Sequence, residues 1–156
     1  MKTQELTVLS LRPDLNDPLG LDLKHILSAF GSKLADWVWR VKNLDWLGEN
    51  GEPFCQAVEA AGPGGYWIDS QNLVKEVNGI YQTIEGEFTA FPKSMDRGDL
   101  GPLDFGLSSF PENRAVVAIV AVDGCYFDVY SKIPDATKMV HERFPEATME
   151  NPELYF

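Results

Sequence analysis

The sequence predicts an α+β domain, with a mostly antiparallel sheet of about five strands and roughly three to four helices packed on it. Three observations carry this. Ala115 to Val122 is an unbroken apolar run, followed directly by Asp123-Gly124, the pair preferred in two-residue hairpin turns. Trp37, Trp39 and Val41 alternate with Val38, Arg40 and Lys42, the period of a strand with one buried face. Apolar stripes at three- and four-residue steps recur between such stretches, as helices packed on a sheet require. A chain of 156 residues, 44% of them hydrophobic, suits one domain over 1–156 with a core of its own.

The elements follow in order. Glu5 to Leu11 is β-rich and stops before Pro13, which predicts a first strand. Asp17-Pro18 is an N-cap followed by a helix-starting proline, and Leu23, Ile26, Leu27, Phe30 and Leu34 then form one helical face, with Gly31 as an interruption. The Trp37 strand ends in the turn residues Gly48 to Gly51. Phe54, Ala57, Val58 and Ala61 allow two helical turns before Gly62-Pro63-Gly64-Gly65. Ser70 is a suitable N-cap for a helix carrying Leu73, Val74, Val77, Ile80 and Tyr81. Ile84, Gly86, Phe88 and Ala90 alternate with Glu85, Glu87 and Thr89, a half-buried strand ending at Pro92. Residues 92–114 have no period and hold three prolines, yet Leu100, Leu103, Phe105, Leu107 and Phe110 suit a lid packed over the core. After the hairpin, in which Cys125, Phe127 and Val129 face inward, Pro134-Asp135 opens a last helix. The tail, 147–156, ends in Leu154, Tyr155 and Phe156, which can dock back on the body.

Composition narrows the function. There are 24 Asp and Glu against 13 Lys and Arg, a net charge of -11. Such a surface repels phosphates and anionic lipid, so neither nucleic acid nor membrane is an expected partner. The start of the chain lacks the apolar stretch of a signal peptide, and the longest apolar run, eight residues, is too short to span a bilayer. A reducing cytoplasm is the expected compartment, with Cys55 and Cys125 unpaired.

No motif for chemistry emerges. His25 and His141 have no partner at metal-ligand spacing. Cys55 opens a short helix, whose N-terminus can lower a thiol pKa, and this makes it the better nucleophile candidate of the two cysteines. The glycine run at Gly62 follows a helix and lacks the phosphate-loop ending, so it reads as a connector. Arg97-Gly98-Asp99 is a three-residue match to an adhesion motif, too short to specify a receptor. Glu85 and Glu87 share a strand face, but two carboxylates define a glycosidase site only inside a pocket. No catalytic residue, cofactor or metal is expected.

What stands out instead is a stretch without cations. From Asn43 to Val74 there is no Lys or Arg. The same stretch carries Asp45, Glu49, Glu52, Glu59 and Asp69, interleaved with Trp46, Tyr66 and Trp67. Acidic side chains steer a basic partner, and exposed aromatics anchor it. The expected binding surface is therefore Asp45, Trp46, Glu49, Glu52, Glu59, Tyr66, Trp67 and Asp69, extended by Glu85 and Glu87. A small acidic α+β chain of this kind loosely resembles the bacterial immunity proteins, by composition and not by motif. That resemblance implies an inhibitor that neutralises a basic toxin domain. An enzyme or ligand-binding protein with a pocket beneath the 92–114 loop is one alternative. A structural subunit assembling through its hairpin edge and apolar tail is another.

Overall fold

The alternation of Trp37, Trp39 and Val41 is the seam on which the sheet is built. In the computed structural model, which describes residues 6–13, 21–48 and 51–156, these side chains lie buried on one face of strand β2 (Trp37–Gly48). β2 pairs with β4 (Ile80–Pro92), β4 with β5 (Val117–Val122), β5 with β6 (Tyr126–Ser131), and β6 with β1 (Thr7–Leu11). Two short edge strands, β3 (Tyr66–Asp69) on β2 and β7 (Thr148–Glu150) on β1, complete an antiparallel sheet of order β3-β2-β4-β5-β6-β1-β7. The class is α+β as the sequence predicts, with seven strands in place of about five. The two extra strands have four and three residues, too few to show a period.

Four helices cover one face: α1 (Leu23–Phe30), α2 (Gly51–Ala60), α3 (Ser70–Asn78) and α4 (Pro134–Arg143). Their apolar stripes, such as Leu23, Ile26 and Phe30 on α1 and Leu73 and Val77 on α3, meet Trp37, Trp39, Phe88, Ile119 and Val129 of the sheet in one core. Asp22 caps α1, accepting from Leu23 N–H at 2.7 Å, and His25 Nδ1 accepts from Asp22 N–H at 3.0 Å. The same Asp22 Oδ1 accepts from Thr83 N–H, which ties the start of α1 to β4. The expected start at Asp17-Pro18 lies outside the described residues. The α-helix stops at Phe30 because Gly31 turns to a φ of 55°, and a 3-10 turn over Gly31–Asp36 carries Leu34.

The cap of α3 is Asp69, not Ser70: Asp69 Oδ1 accepts from Asn72 N–H at 2.8 Å. Ser70 is drawn inward. Its hydroxyl accepts from Trp39 Nε1–H at 2.8 Å and donates to the Trp37 carbonyl, so the indole N–H is satisfied inside the core.

At the hairpin, Asp123 and Gly124 both take positive φ, 52° and 66°, as its turn chemistry requires. The ladder closes at Val122 and Tyr126, leaving three residues between. Cys125 is therefore the extra residue and is exposed, which corrects its expected inward place; Phe127 and Val129 do face the helices.

The other face of the sheet is covered by residues 93–114 and the C-terminal segment. Met95, Leu100, Leu107 and Phe110 pack on Phe91, Ala118, Tyr130 and Val8, so the aperiodic stretch is a lid with three short 3-10 turns. The side chains of Leu103 and Phe105 lie outside those described. Tyr155 and Phe156 dock on Tyr130, at centroid distances of 5.7 and 5.2 Å, whereas Leu154 is exposed. This second layer hides polar side chains. Arg40 donates to the Asp104 carbonyl at 2.6 Å, and Lys132 Nζ donates to the Asn113 carbonyl at 2.6 Å. Burial lowers Lys132 to about 8 despite the nearby Asp104 carboxylate. Gly65, at φ 81°, lies so close to Arg40 that a Cβ there would come within 2.5 Å of the Arg40 stem. Among the described residues no helix is long and apolar enough to cross a membrane.

Candidate functional site

A bulge in β2 organises the acidic part of the chain. Lys42 pairs with Glu87, but Asp45 pairs with Glu85, so Asn43 and Leu44 stand where β4 offers only Gly86. Asn43 takes a φ of 54°, a conformation that asparagine tolerates better than most residues. A Cβ on Gly86 would come within 2.7 Å of the Phe88 ring, so glycine is required opposite the bulge. The extra residue flips the side-chain parity along β2, and β4 has its own irregularity just beyond, where Ile84 is passed over between Glu85 and Thr83. Before it, Trp37, Trp39 and Val41 point into the helix-side core; after it, Trp46 does.

Trp46 is thus a core residue and not a surface anchor. It is 4% exposed, stacks on Phe54 at 5.1 Å and Phe88 at 6.4 Å, and donates Nε1–H to the Gly51 carbonyl. The flip turns Asp45 and Leu47 outward, and both are exposed.

Five of the expected carboxylates gather around this bulge. Asp45 on β2 stands directly opposite Glu85 on β4, and both are exposed. Glu87, half-buried, accepts from Asn43 Nδ2 at 3.2 Å. Glu52 and Glu59 project from α2 into a cleft of about 550 Å³ between that helix and β2, lined also by Lys42, Asn43, Leu44 and Cys55. A second, shallower cleft of about 350 Å³ lies along β4 between Glu85, Glu87, Asn43 and Val120. Asn43 borders both. Residues 43–92 contain eight acidic side chains and one basic one, Lys75.

The remaining expected residues lie elsewhere. Asp69 serves as the cap of α3. Tyr66 is half-buried on the helix side, edge-on to Phe54 at 5.4 Å. Trp67 is half-buried on the lid side, against Phe91 at 5.3 Å and beneath the Arg97 guanidinium at 5.3 Å. That stacking engages the arginine of the Arg97-Gly98-Asp99 turn. Glu49 lies outside the described residues. No tryptophan therefore stands exposed among the acidic side chains. The exposed apolar groups of this end are Leu47 and Tyr81, on β2 and β4, with Leu47 in register with Gln82.

Compared with known proteins, the chain matches no protein-family model, no curated protein and no solved structure.

The chemistry available at this site is limited. Burial raises the Cys55 pKa, the carboxylates of Asp45 and Glu52 raise it further, and a backbone hydrogen bond at Trp46 only partly offsets them. The thiol stays protonated at neutral pH, so the expected activation at a helix N-terminus does not occur. Cys55 is in fact the fifth residue of α2. His25 is engaged in the α1 cap, and His141 is exposed on α4, far along the chain from these groups. Among the described residues no three His, Cys, Asp or Glu side chains are grouped as metal ligands.

The buried polar groups of the lid side escape sequence reasoning. Arg40 reads as solvent-facing in a half-buried strand, and Lys132 follows the hairpin without any pattern of its own; the lid covers both. The one available signal was the lid's own apolar content.

Proposed function

We propose that the protein is a binding module for a basic protein partner, of the immunity-like inhibitor kind, and that the acidic end of the β2–β4 ladder is its docking surface. The observation that carries this is the direct opposition of Asp45 and Glu85. Like charges opposite one another in a ladder destabilise the sheet. A partner's lysine or arginine placed between them would turn that cost into attraction. Glu52, Glu59 and Glu87 extend the negative field to both sides of Asn43, which favours rapid association with a cationic surface. Leu47 and Tyr81, 52% and 65% exposed, take the anchoring part expected of Trp46. A reducing cytoplasm fits this reading, with both cysteines as free thiols.

The test uses the partner captured from the native cell by the full chain. Purified, it should bind wild type with an association rate that falls steeply with salt, because exposed charges are screened. The triple variant Asp45→Lys, Glu52→Lys, Glu85→Lys should associate much more slowly, with its circular dichroism unchanged. Equal binding by both proteins, or indifference to salt, would remove the acidic end from function.

A further inference from the structure

A second surface lies at the opposite edge of the sheet. Among the described residues, β7 is the last strand in the order and pairs only with β1, through Val8–Glu150, Leu9–Met149 and Ser10–Thr148. The register fixes its faces. Leu9 belongs to the helix-side core, so Met149 lies on that face; Val8 belongs to the lid-side cluster, so Thr148 and Glu150 lie on the other.

Sheet edges offer unpaired backbone groups, and folded proteins usually guard them. The edge at β3 is guarded. Trp67 lies beneath Arg97, Ile68 is buried, and the strand runs straight into α3 through the capping Asp69. Among the described residues the edge at β7 has lighter protection, a strand of three residues with Pro152 just beyond it. Met149 is 57% exposed, and Leu154, just beyond, is 75% exposed. The lid-side face of this edge carries Glu150 and, further in, Asp128, with Arg12 beside Asp128. Residues 144–156 hold Glu146, Glu150 and Glu153 and no basic residue. Asp128, two strands in, is 5% exposed, and its Oδ1 finds no hydrogen-bond partner among the described residues.

We propose that the outer edge of β7 takes an extended segment of another protein as an added strand, one that alternates apolar and basic residues. Backbone pairing supplies the generic attraction, and the two faces supply the selection. Apolar side chains of the added strand meet Met149 on the helix side. Lysines or arginines meet Glu150 on the lid side. A second copy of this chain fits poorly, since it carries the same glutamates and a net charge of -11.

The probe is a short, capped, fluorescent peptide alternating lysine and valine, with binding to the full chain followed by anisotropy. Wild type should bind it. Glu150→Lys should weaken binding about tenfold, the loss of one well-placed contact. Two further peptides, N-methylated at every valine or at every lysine, need no protein variant. Successive N–H groups of a strand point to opposite edges, so one pattern should lose binding and the other should keep it. The proposal fails if the unmodified peptide does not bind, or if the two methylated peptides behave alike. It also fails if Asp45→Lys with Glu52→Lys abolishes binding while Glu150→Lys leaves it intact. A dimer seen by sedimentation and lost in Glu150→Lys would assign the edge to a second copy and overturn the proposed occupant.

Discussion

Arg40 reaches through the second face of the sheet to the lid and donates to the Asp104 carbonyl at 2.6 Å, and its guanidinium lies 5.3 Å from the Phe91 ring centroid. The Asp104 carboxylate closes its own turn, accepting from the backbone N–H of Gly101 and of Arg114 at 2.8 Å each. One residue thus fastens the lid to the sheet and the next layer of bonds shapes the lid. Replacing Arg40 by Ala leaves the Asp104 carbonyl without this charged donor and removes the stem packed under Gly65. The expected loss is about 2 kcal/mol or more, read from the urea midpoint. Residues 93–114 should become the first site of limited proteolysis. A variant with wild-type stability and an uncut lid would show that this bond is dispensable.

Two buried aspartates should oppose each other in their pH dependence. Burial alone would raise Asp104, but its backbone donors, with Arg114 and Arg40, outweigh that and hold it below the usual carboxylate value. Its contribution is complete above the ordinary value of 3.8 and is lost as pH falls through the lowered folded one. Asp128 is raised, by burial first and by Glu150, against the hydrogen bond from Ser10 and the charge of Arg12. The folded state therefore holds that proton longer than the unfolded chain, and stability declines as pH rises from 3.8 to the raised value. Asp128→Asn should stabilise the protein at neutral pH and change little in strong acid. Asp104→Asn should destabilise it at neutral pH and converge on wild type in acid. Midpoint shifts of the same sign for both at neutral pH would contradict this assignment.

Trp46 separates packing from binding. Its truncation to Ala should cost roughly 3–5 kcal/mol, through the cavity left between Phe54 and Phe88 and the lost donor to Gly51. Trp67→Ala, at a half-buried position, should cost less. Thermal melts decide the ranking. A Trp46→Ala protein as stable as wild type would place the indole outside the core.

The two thiols should react at different rates. Cys125 is exposed at the hairpin turn and should label fast with a thiol reagent at neutral pH. Cys55, raised by burial and by its acidic neighbours, should label slowly. Cys125→Ser should abolish the fast phase and leave the slow one. A fast phase that survives this change would mean Cys55 is reactive after all.

Much of this architecture is written in local pattern. The stripe of α1, the alternation of Trp37 to Val41 and the positive-φ pair Asp123-Gly124 each depend on neighbours a few residues away, so the sequence alone determined an α+β chain with a central hairpin and an acid-rich middle. Only the tertiary structure decided the rest. Strands of three or four residues, such as Tyr66–Asp69 and Thr148–Glu150, form because an edge is available to receive their backbone, not because their side chains show a period. The bulge at Asn43 depends on what β4 places opposite it, and that one inserted residue sent Trp46 inward and Asp45 outward. Arg40 became a buried residue when a lid some sixty positions later folded over it. Side-chain period reports which residues share a face; whether that face meets water or another part of the chain is settled by contacts distant in sequence.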